Sequence, residues 1–280
     1  MDKPDLRREL EVAERLAREA GAIIMRYAGS GIAVEYKADD GGPVTRADCE
    51  ASEHVVAGLS SAFSGDGILS EERPDDGAWR GRDRAWMIDP LDGTRDFIHG
   101  RSGFSVMIGL CIADRPALGV VFQPSTGTLY RGARGAGAER VFADGRVEAL
   151  AVSPSSDPNA IRLVASASHR TEAIDRVRKV LGVTDEMNVG SVGLKLALIA
   201  QGDRDLYVNP NSKSSLWDSA APEAILIEAG GILSDLAGRP LDYRGPELRN
   251  LRGLVACPMG LHALVIERLA ALFPGGRVDG

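Results

Sequence analysis

Two aspartates three positions apart, Asp89 and Asp92, enclose a proline and a leucine in Trp86-Met87-Ile88-Asp89-Pro90-Leu91-Asp92-Gly93-Thr94-Arg95-Asp96-Phe97. The apolar run 85–88 reads as a buried strand. Pro90 lacks an N–H and has a fixed φ, which predicts that the strand stops there. Gly93 lets the backbone approach a ligand closely, and the amides after it can open a short helix whose first turn favours anions. Asp89, Asp92, Gly93 and Thr94 together suit a hard metal ion held against a phosphate. The same residues also fit a plain strand-to-helix loop with solvated carboxylates and an Asp cap. Three more acids stand at strand ends or helix starts rather than on helical faces: Asp48, Glu71 and Asp218. Thr45-x-x-Asp48 has the spacing of a capping box, and Asp218 ahead of Ser219-Ala220-Ala221-Pro222 fits an N-cap before a first helical turn. Periodicity and composition do not say that these five acids meet.

The elements that must position them alternate along the chain. Leu6, Leu10, Ala13, Ala17, Ala20 and Ile24 recur at steps of three and four and predict an amphipathic helix at the start. Asp39-Asp40-Gly41-Gly42-Pro43 is a loop by composition. A second helix follows Asp48 and ends at Ser64-Gly65-Asp66-Gly67, and a short strand, 67–70, delivers Glu71 and Glu72. Apolar runs 106–113 and 117–123 predict an antiparallel hairpin, with 128–131 as a third strand. The glycines at 132–137 lack a phosphate-binding spacing and read as a turn. Beyond the polar run 153–158, strands at 161–166, 185–189, 205–208, 232–235 and 253–256 alternate with helices at 172–181, 192–200, 220–229 and 261–272. That alternation implies a mixed or parallel sheet faced by helices. The expected division is therefore 1–152, an α+β half with an antiparallel sheet, and 153–280, an α/β half.

The chain of 280 residues carries 33 Lys+Arg against 40 Asp+Glu, a net charge of −7. No basic block accompanies this balance, so nucleic acid is not an expected partner. Charges recur through the first thirty residues and no apolar run approaches a membrane span, so neither a secretory leader nor a membrane anchor is expected. Cys49, Cys111 and Cys257 are few, odd in number and widely spaced, which fits a reducing cytoplasm rather than a disulfide framework. A homodimer is compatible with all of this.

Ser70-Glu71-Glu72, the segment from Trp86 to Thr94, and Trp217-Asp218-Ser219-Ala220-Ala221 resemble, in order, the motifs of the inositol monophosphatase superfamily. Glu228-Ala229-Gly230-Gly231 and Asp235-Leu236-Ala237-Gly238 are similar to its closing segments, so the resemblance spans almost the whole chain. It implies a layered α-β-α-β-α sandwich and a Mg²⁺-dependent, lithium-sensitive phosphatase. It further implies a first Mg²⁺ on Glu71, Asp89 and the Leu91 carbonyl, a second on Asp89, Asp92 and Asp218, and a third, looser ion sharing Glu71. The amides of Gly93 and Thr94 would then hold the phosphate, while Asp48 and the Thr94 hydroxyl would orient and deprotonate the attacking water.

The basic-then-acidic pair Arg95-Asp96 after Thr94 is more similar to the 3′(2′),5′-bisphosphate nucleotidase branch. His169 resembles a residue that packs near the base in that branch, and Lys195 in Ser191-Val192-Gly193-Leu194-Lys195 one that faces the second phosphate. The branch's arginine ahead of Trp-Asp has no counterpart here, and Lys213 stands nearby. The implied reaction is removal of the 3′-phosphate of adenosine 3′,5′-bisphosphate, giving AMP and phosphate. An inositol monophosphatase or a fructose-1,6-bisphosphatase-type sugar phosphatase is the alternative. A metal- and nucleotide-binding sensor without activity is the third reading. His54, His99 and His262 show no ligand spacing.

Overall fold

The computed structural model describes residues 5–29, 31–37, 42–154, 160–166 and 171–278. In chain order the elements are α1 (Arg7–Tyr27), β1 (Val34–Tyr36), β2 (Pro43–Thr45), α2 (Arg46–Ala62), β3 (Gly67–Ser70), β4 (Arg84–Asp92), α3 (Thr94–Ile98), β5 (Ser105–Ile112), β6 (Arg115–Gln123), β7 (Thr128–Ala133), β8 (Gly137–Val141) and β9 (Val147–Ala149). They continue with β10 (Arg162–Ser166), α4 (Glu172–Leu181), β11 (Asp185–Val189), α5 (Val192–Ala200), β12 (Leu206–Asn209), α6 (Leu216–Glu228), β13 (Gly231–Ser234), β14 (Leu254–Pro258) and α7 (Met259–Leu269).

Among the described residues the strands form a seven-stranded sheet in the order β3-β4-β5-β6-β7-β8-β9, a five-stranded sheet in the order β11-β10-β12-β14-β13, and the small ribbon β1-β2. The larger sheet is antiparallel except at its β3-β4 edge; the smaller one is mixed. The outer face of the larger sheet is covered by α1 and α2, which bury Leu16, Ile24, Val55 and Leu59 against Trp86, Ile108 and Val120. Helices α5 and α6 lie between the two sheets, with Leu194, Ile199, Ala220 and Ile225 packed on Met87, Met107 and Val121 on one side and Leu233 and Leu254 on the other. The far face of the smaller sheet carries α4 and α7 through Val177, Leu181, Leu261 and Val265. This is the α-β-α-β-α sandwich that the resemblance implies. Close approach in the middle layer depends on Gly119, where an added Cβ would lie 2.0 Å from the Ala221 carbonyl oxygen.

Two expectations change. The strand that carries the central motif does not stop at Pro90: β4 continues to Asp92, with a register shift between Asp89, opposite Met107, and Asp92, opposite Ser105. A bulge absorbs the missing proline donor, because the residues it frees are not asked to pair. Helix α6 starts at Leu216, four residues earlier than expected. Asp218 thus sits inside the first turn as the acid of a Ser215-x-x-Asp218 capping box, and Pro222 lies in the second turn. Pro222 cannot donate to the Asp218 carbonyl one turn earlier, so that carbonyl is released from the helix ladder. Strands β1, β2, β8 and β9 are additions to the expected set. The loop expected at 39–43 and the polar run expected at 153–158 fall partly outside the described residues.

Candidate active site

Topology brings Glu71 to Asp89. Strands β3 and β4 run parallel with Ser70 opposite Ile88, and the Glu71 amide donates to the Ile88 carbonyl at 3.1 Å. The next residue on each strand is therefore a carboxylate, side by side at the C-terminal end of a parallel pair. The first turn of α6 supplies Asp218. Oxygens of Glu71, Asp89 and Asp218 lie within 4.8 Å of one another.

Each acid is oriented by its own neighbours. Asp89 Oδ1 accepts from the Leu91 amide at 2.9 Å, across Pro90. Asp92 Oδ2 accepts from Ser191 Oγ at 2.5 Å and from the Gly193 amide at 3.1 Å, both at the start of α5. Ser105 Oγ lies 2.8 Å from Ser191 Oγ, and Ser191 also accepts from the Leu194 amide as the N-cap of α5. An ionised Asp92 only accepts, so Ser191 gives it the hydroxyl proton and Ser105 donates to Ser191. Asp218 Oδ2 accepts from the Ser215 amide at 2.6 Å.

Asp48 sits beside this cluster and both accounts of it hold at once. Its Oδ2 accepts from the Thr45 amide (2.8 Å) and hydroxyl (2.7 Å), completing the capping box of α2. Its Oδ1 faces Thr94, whose hydroxyl proton is shared between that oxygen at 3.1 Å and the Leu91 carbonyl at 3.0 Å. Thr94 opens α3 immediately after Gly93, whose φ of 93° is left-handed and where a Cβ would meet the Gly103 carbonyl at 2.5 Å. The first amides of α3 have no intrahelical acceptor, so they point outward as donors.

Electrostatics set this cluster apart. Burial raises the pKa values of Asp89, Asp92 and Asp218, and their negative neighbours, Glu71 among them, add to the shift. Burial raises Asp48 too, against the hydrogen bonds from Thr45. Glu72 is pushed up to about 7 by burial and by Glu71. Two ammonium groups stand against these acids. Lys37 donates to Glu71 Oε1 at 2.7 Å and Glu72 Oε1 at 2.6 Å; burial opposes its charge, but the two glutamates more than compensate and its pKa is raised. Lys195 is 2% exposed, donates to the Gly190 carbonyl, and is pushed down to about 8 by burial despite Asp92 and Asp218. Hard oxygen donors, buried together and short of positive charge, are the chemistry of a hard divalent cation site.

Part of this set lines one cleft of about 260 Å³. Glu71, Asp92, Gly93, Thr94 and Asp218 form one part of its wall, and Lys195, Tyr207, Asn211 and Lys213 another. Of the residues singled out in the sequence, Asp48, Glu71, Asp89, Leu91, Asp92, Gly93, Thr94, Lys195 and Asp218 fall in or against this region, while His169 lies outside the described residues. Lys195 is not the solvated helical lysine its position on α5 would suggest; it is buried over the Tyr207 ring. The sequence expectations assign no role to Lys37 or to Ser191. A Ser one residue after Gly190 at a helix start was the available signal for Ser191, as an N-cap; nothing local marked Lys37. His54, His99 and His262 bond Glu19, the Arg95 carbonyl and Ser234, away from the acids.

Residues 5–272 match the sequence model of the inositol monophosphatase family. The 3′(2′),5′-bisphosphate nucleotidase CysQ of Salmonella typhimurium is 35% identical over 239 residues, 84% of this chain and 93% of that protein. The histidinol-phosphatase of Chlorobaculum parvum is 34% identical over 242 residues, 84% of this chain and 87% of that protein. The crystal structure of CysQ from Bacteroides thetaiotaomicron superimposes with a TM-score of 0.76 at 29% identity, covering 91% of this chain and 98% of that one. With the sandwich, the ordered motifs and the acid cluster all in place, the chain belongs to the inositol monophosphatase family.

Proposed function

We propose that this protein is a Mg²⁺-dependent phosphomonoesterase that removes the 3′-phosphate of adenosine 3′,5′-bisphosphate, giving AMP and phosphate. The observation that carries the reading is the meeting of Glu71, Asp89 and Asp218 within 4.8 Å, beside the Asp48–Thr94 pair, with Glu71, Thr94 and Asp218 lining one cleft. The similarity to a bisphosphate nucleotidase over most of both chains supports the substrate. The three cysteines are unpaired, which suits a cytoplasmic enzyme.

Glu71, Asp89, Asp92, Asp218 and the Leu91 carbonyl would hold the Mg²⁺ ions, two or three in number. Bound there, Mg²⁺ supplies charge neutralisation for the phosphate and acidifies water. The protein's own residues do the rest. The amides of Gly93 and Thr94 bind phosphate oxygens at the start of α3. Asp48 and Thr94 orient a water in line with the ester bond, and Asp48 Oδ1 takes its proton through or beside the Thr94 hydroxyl. Ser191 fixes Asp92, and the apolar wall at Tyr207 limits bulk water. His169, outside the described residues, is the proposed contact for the base, and Lys195 stands on the cleft wall beside Asp92.

A second reading has a specific observation behind it. The Chlorobaculum parvum relative is a histidinol-phosphatase at nearly the same identity, so a phosphate ester of an amino alcohol belongs in the comparison. The deciding experiment measures phosphate release with Mg²⁺ from adenosine 3′,5′-bisphosphate, inositol 1-phosphate, fructose 1,6-bisphosphate and histidinol phosphate. The highest kcat/KM is expected for the nucleotide. Faster turnover of any of the other three would replace the substrate, and no release from any would leave the sensor reading. Li⁺ should inhibit where Na⁺ and K⁺ at equal ionic strength do not.

A further inference from the structure

The cleft must tell a bisphosphate from a monophosphate, and its cations are not equally free to do so. Lys37 is committed to Glu71 and Glu72. Lys195 is 2% exposed and gives its ammonium to the Gly190 carbonyl. Arg101 is paired with Asp96 at 2.7 Å. Arg95 differs from these three: it lines the cleft, is exposed, and has no carboxylate partner among the described residues. Lys213 is also exposed on the cleft wall, but on the loop that joins β12 to α6.

We propose that Arg95 is the specificity-determining residue that receives the second, non-scissile phosphate of the substrate. The proposal rests on the nucleotide bisphosphate reading above. Arg95 follows Thr94 directly, so its reach is measured from the same backbone that would hold the scissile phosphate. That backbone is rigid, because the next two residues, Asp96 and Phe97, are 3% and 5% exposed and anchor α3. Two phosphates on one ribose are separated by the ring and two ester arms, a span within reach of an extended arginine. A guanidinium offers a planar fork that matches a phosphate in two hydrogen bonds, and one without a carboxylate partner among the described residues gives up none of their ion pairs when it does so. Lys195 lines the same cleft but is 2% exposed and already gives one of its three donors to the Gly190 carbonyl, so it presents less of its charge to the substrate than the exposed Arg95.

The test compares adenosine 3′,5′-bisphosphate with adenosine 3′-phosphate, which differ only in the second phosphate, on the full-length protein with Mg²⁺. In wild type the bisphosphate should be preferred. Arg95→Ala should lower its kcat/KM about ten- to a hundredfold, mainly through KM, and change adenosine 3′-phosphate less than about twofold. Arg95→Lys should recover part of the loss, since it restores the charge without the fork. Equal losses on both substrates, or none on the bisphosphate, would overturn the assignment. So would a bisphosphate-selective loss in Lys213→Ala with Arg95→Ala unaffected. A wild-type enzyme that does not distinguish the two esters would instead remove the nucleotide bisphosphate reading itself.

Discussion

Helices α2 and α6 begin with the same device and use it for different ends. Thr45-x-x-Asp48 and Ser215-x-x-Asp218 are both capping boxes, and each returns its third-position carboxylate to the amide of the capping residue. Around Asp48 the remaining partners are hydroxyls, Thr45 and Thr94. Around Asp218 they are carboxylates, Glu71 and Asp89. An acid met by donors keeps a fixed orientation and an oxygen ready for a proton. An acid met by other acids is held in place by a cap while its charge remains unbalanced, which prepares it for a cation. The local sequence is nearly the same; what the opposing strands bring to each helix start decides the chemistry.

Removing the charge at each site should separate the two roles. Asp218→Asn is expected to have the largest effect, a loss of turnover on the order of a thousandfold or more, because charge neutralisation of the phosphate goes with the cation. It should also abolish the rise in Tm that Mg²⁺ gives the wild-type protein. Without Mg²⁺ the variant should melt higher than wild type, since it no longer buries a carboxylate among carboxylates. A metal-dependent Tm gain that survives the change would show that Asp218 is only a cap.

Asp48→Asn should lower kcat about a hundredfold while leaving the Mg²⁺-dependent Tm gain intact. Asparagine can still accept from the Thr45 amide, so the cap survives and stability changes by less than about 1 kcal/mol. Loss of the Mg²⁺ effect in this variant would erase the contrast between the two helices. Ser191→Ala comes next in size. It removes the hydroxyl that orients Asp92 from outside the ligand set, and the expected result is an affinity for Mg²⁺ about ten- to a hundredfold weaker. Titrating Tm against Mg²⁺ concentration measures this directly, and an unchanged midpoint would show that the Gly193 amide is sufficient.

Much of this arrangement was readable from the chain. The elements 172–181, 185–189 and 192–200 appear where expected because each is bounded by a polar or glycine break; 172–181 also has a clear helical period, whereas 192–200 is apolar on nearly every face. The ribbon β1-β2 and strands β8 and β9 were not legible: they are short and largely half-buried or exposed, so no alternation marks them. Asp218 read as the cap puts the start of α6 four residues late, whereas the Ser215-x-x-Asp218 box sets it at Leu216. The ligand types were legible at Asp89 and Asp92, but their meeting with Glu71 depends on the parallel β3-β4 register, which is a property of the sheet. Lys37 reaches Glu71 and Glu72 from a loop residue 34 and 35 positions away, and nothing local announces that pairing.

An effect on stability alone, away from the cleft, concerns a second buried acid on α6, five residues beyond Asp218. Glu223 is fully buried, with Tyr243 Oη donating to Oε2 at 2.5 Å and Arg115 Nη2 to Oε1 at 2.7 Å. Here, as at Asp48, donors surround the carboxyl, yet burial outweighs them and pushes its pKa up to about 7. A raised pKa means that the fold binds the proton more tightly than the unfolded chain, whose glutamate titrates near 4.5. The contribution is therefore fully present below the unfolded value and is lost as pH rises through about 7. Glu223→Gln cannot titrate, so wild type should lose stability relative to this variant between pH 5 and 8, by up to about 3 kcal/mol. Urea unfolding of both proteins across that range, at saturating Mg²⁺ so that the acids around Asp218 contribute equally, gives the difference. A gap that does not move with pH would mean that Arg115 keeps Glu223 ionised throughout, and that donors alone govern the buried acids of both helices.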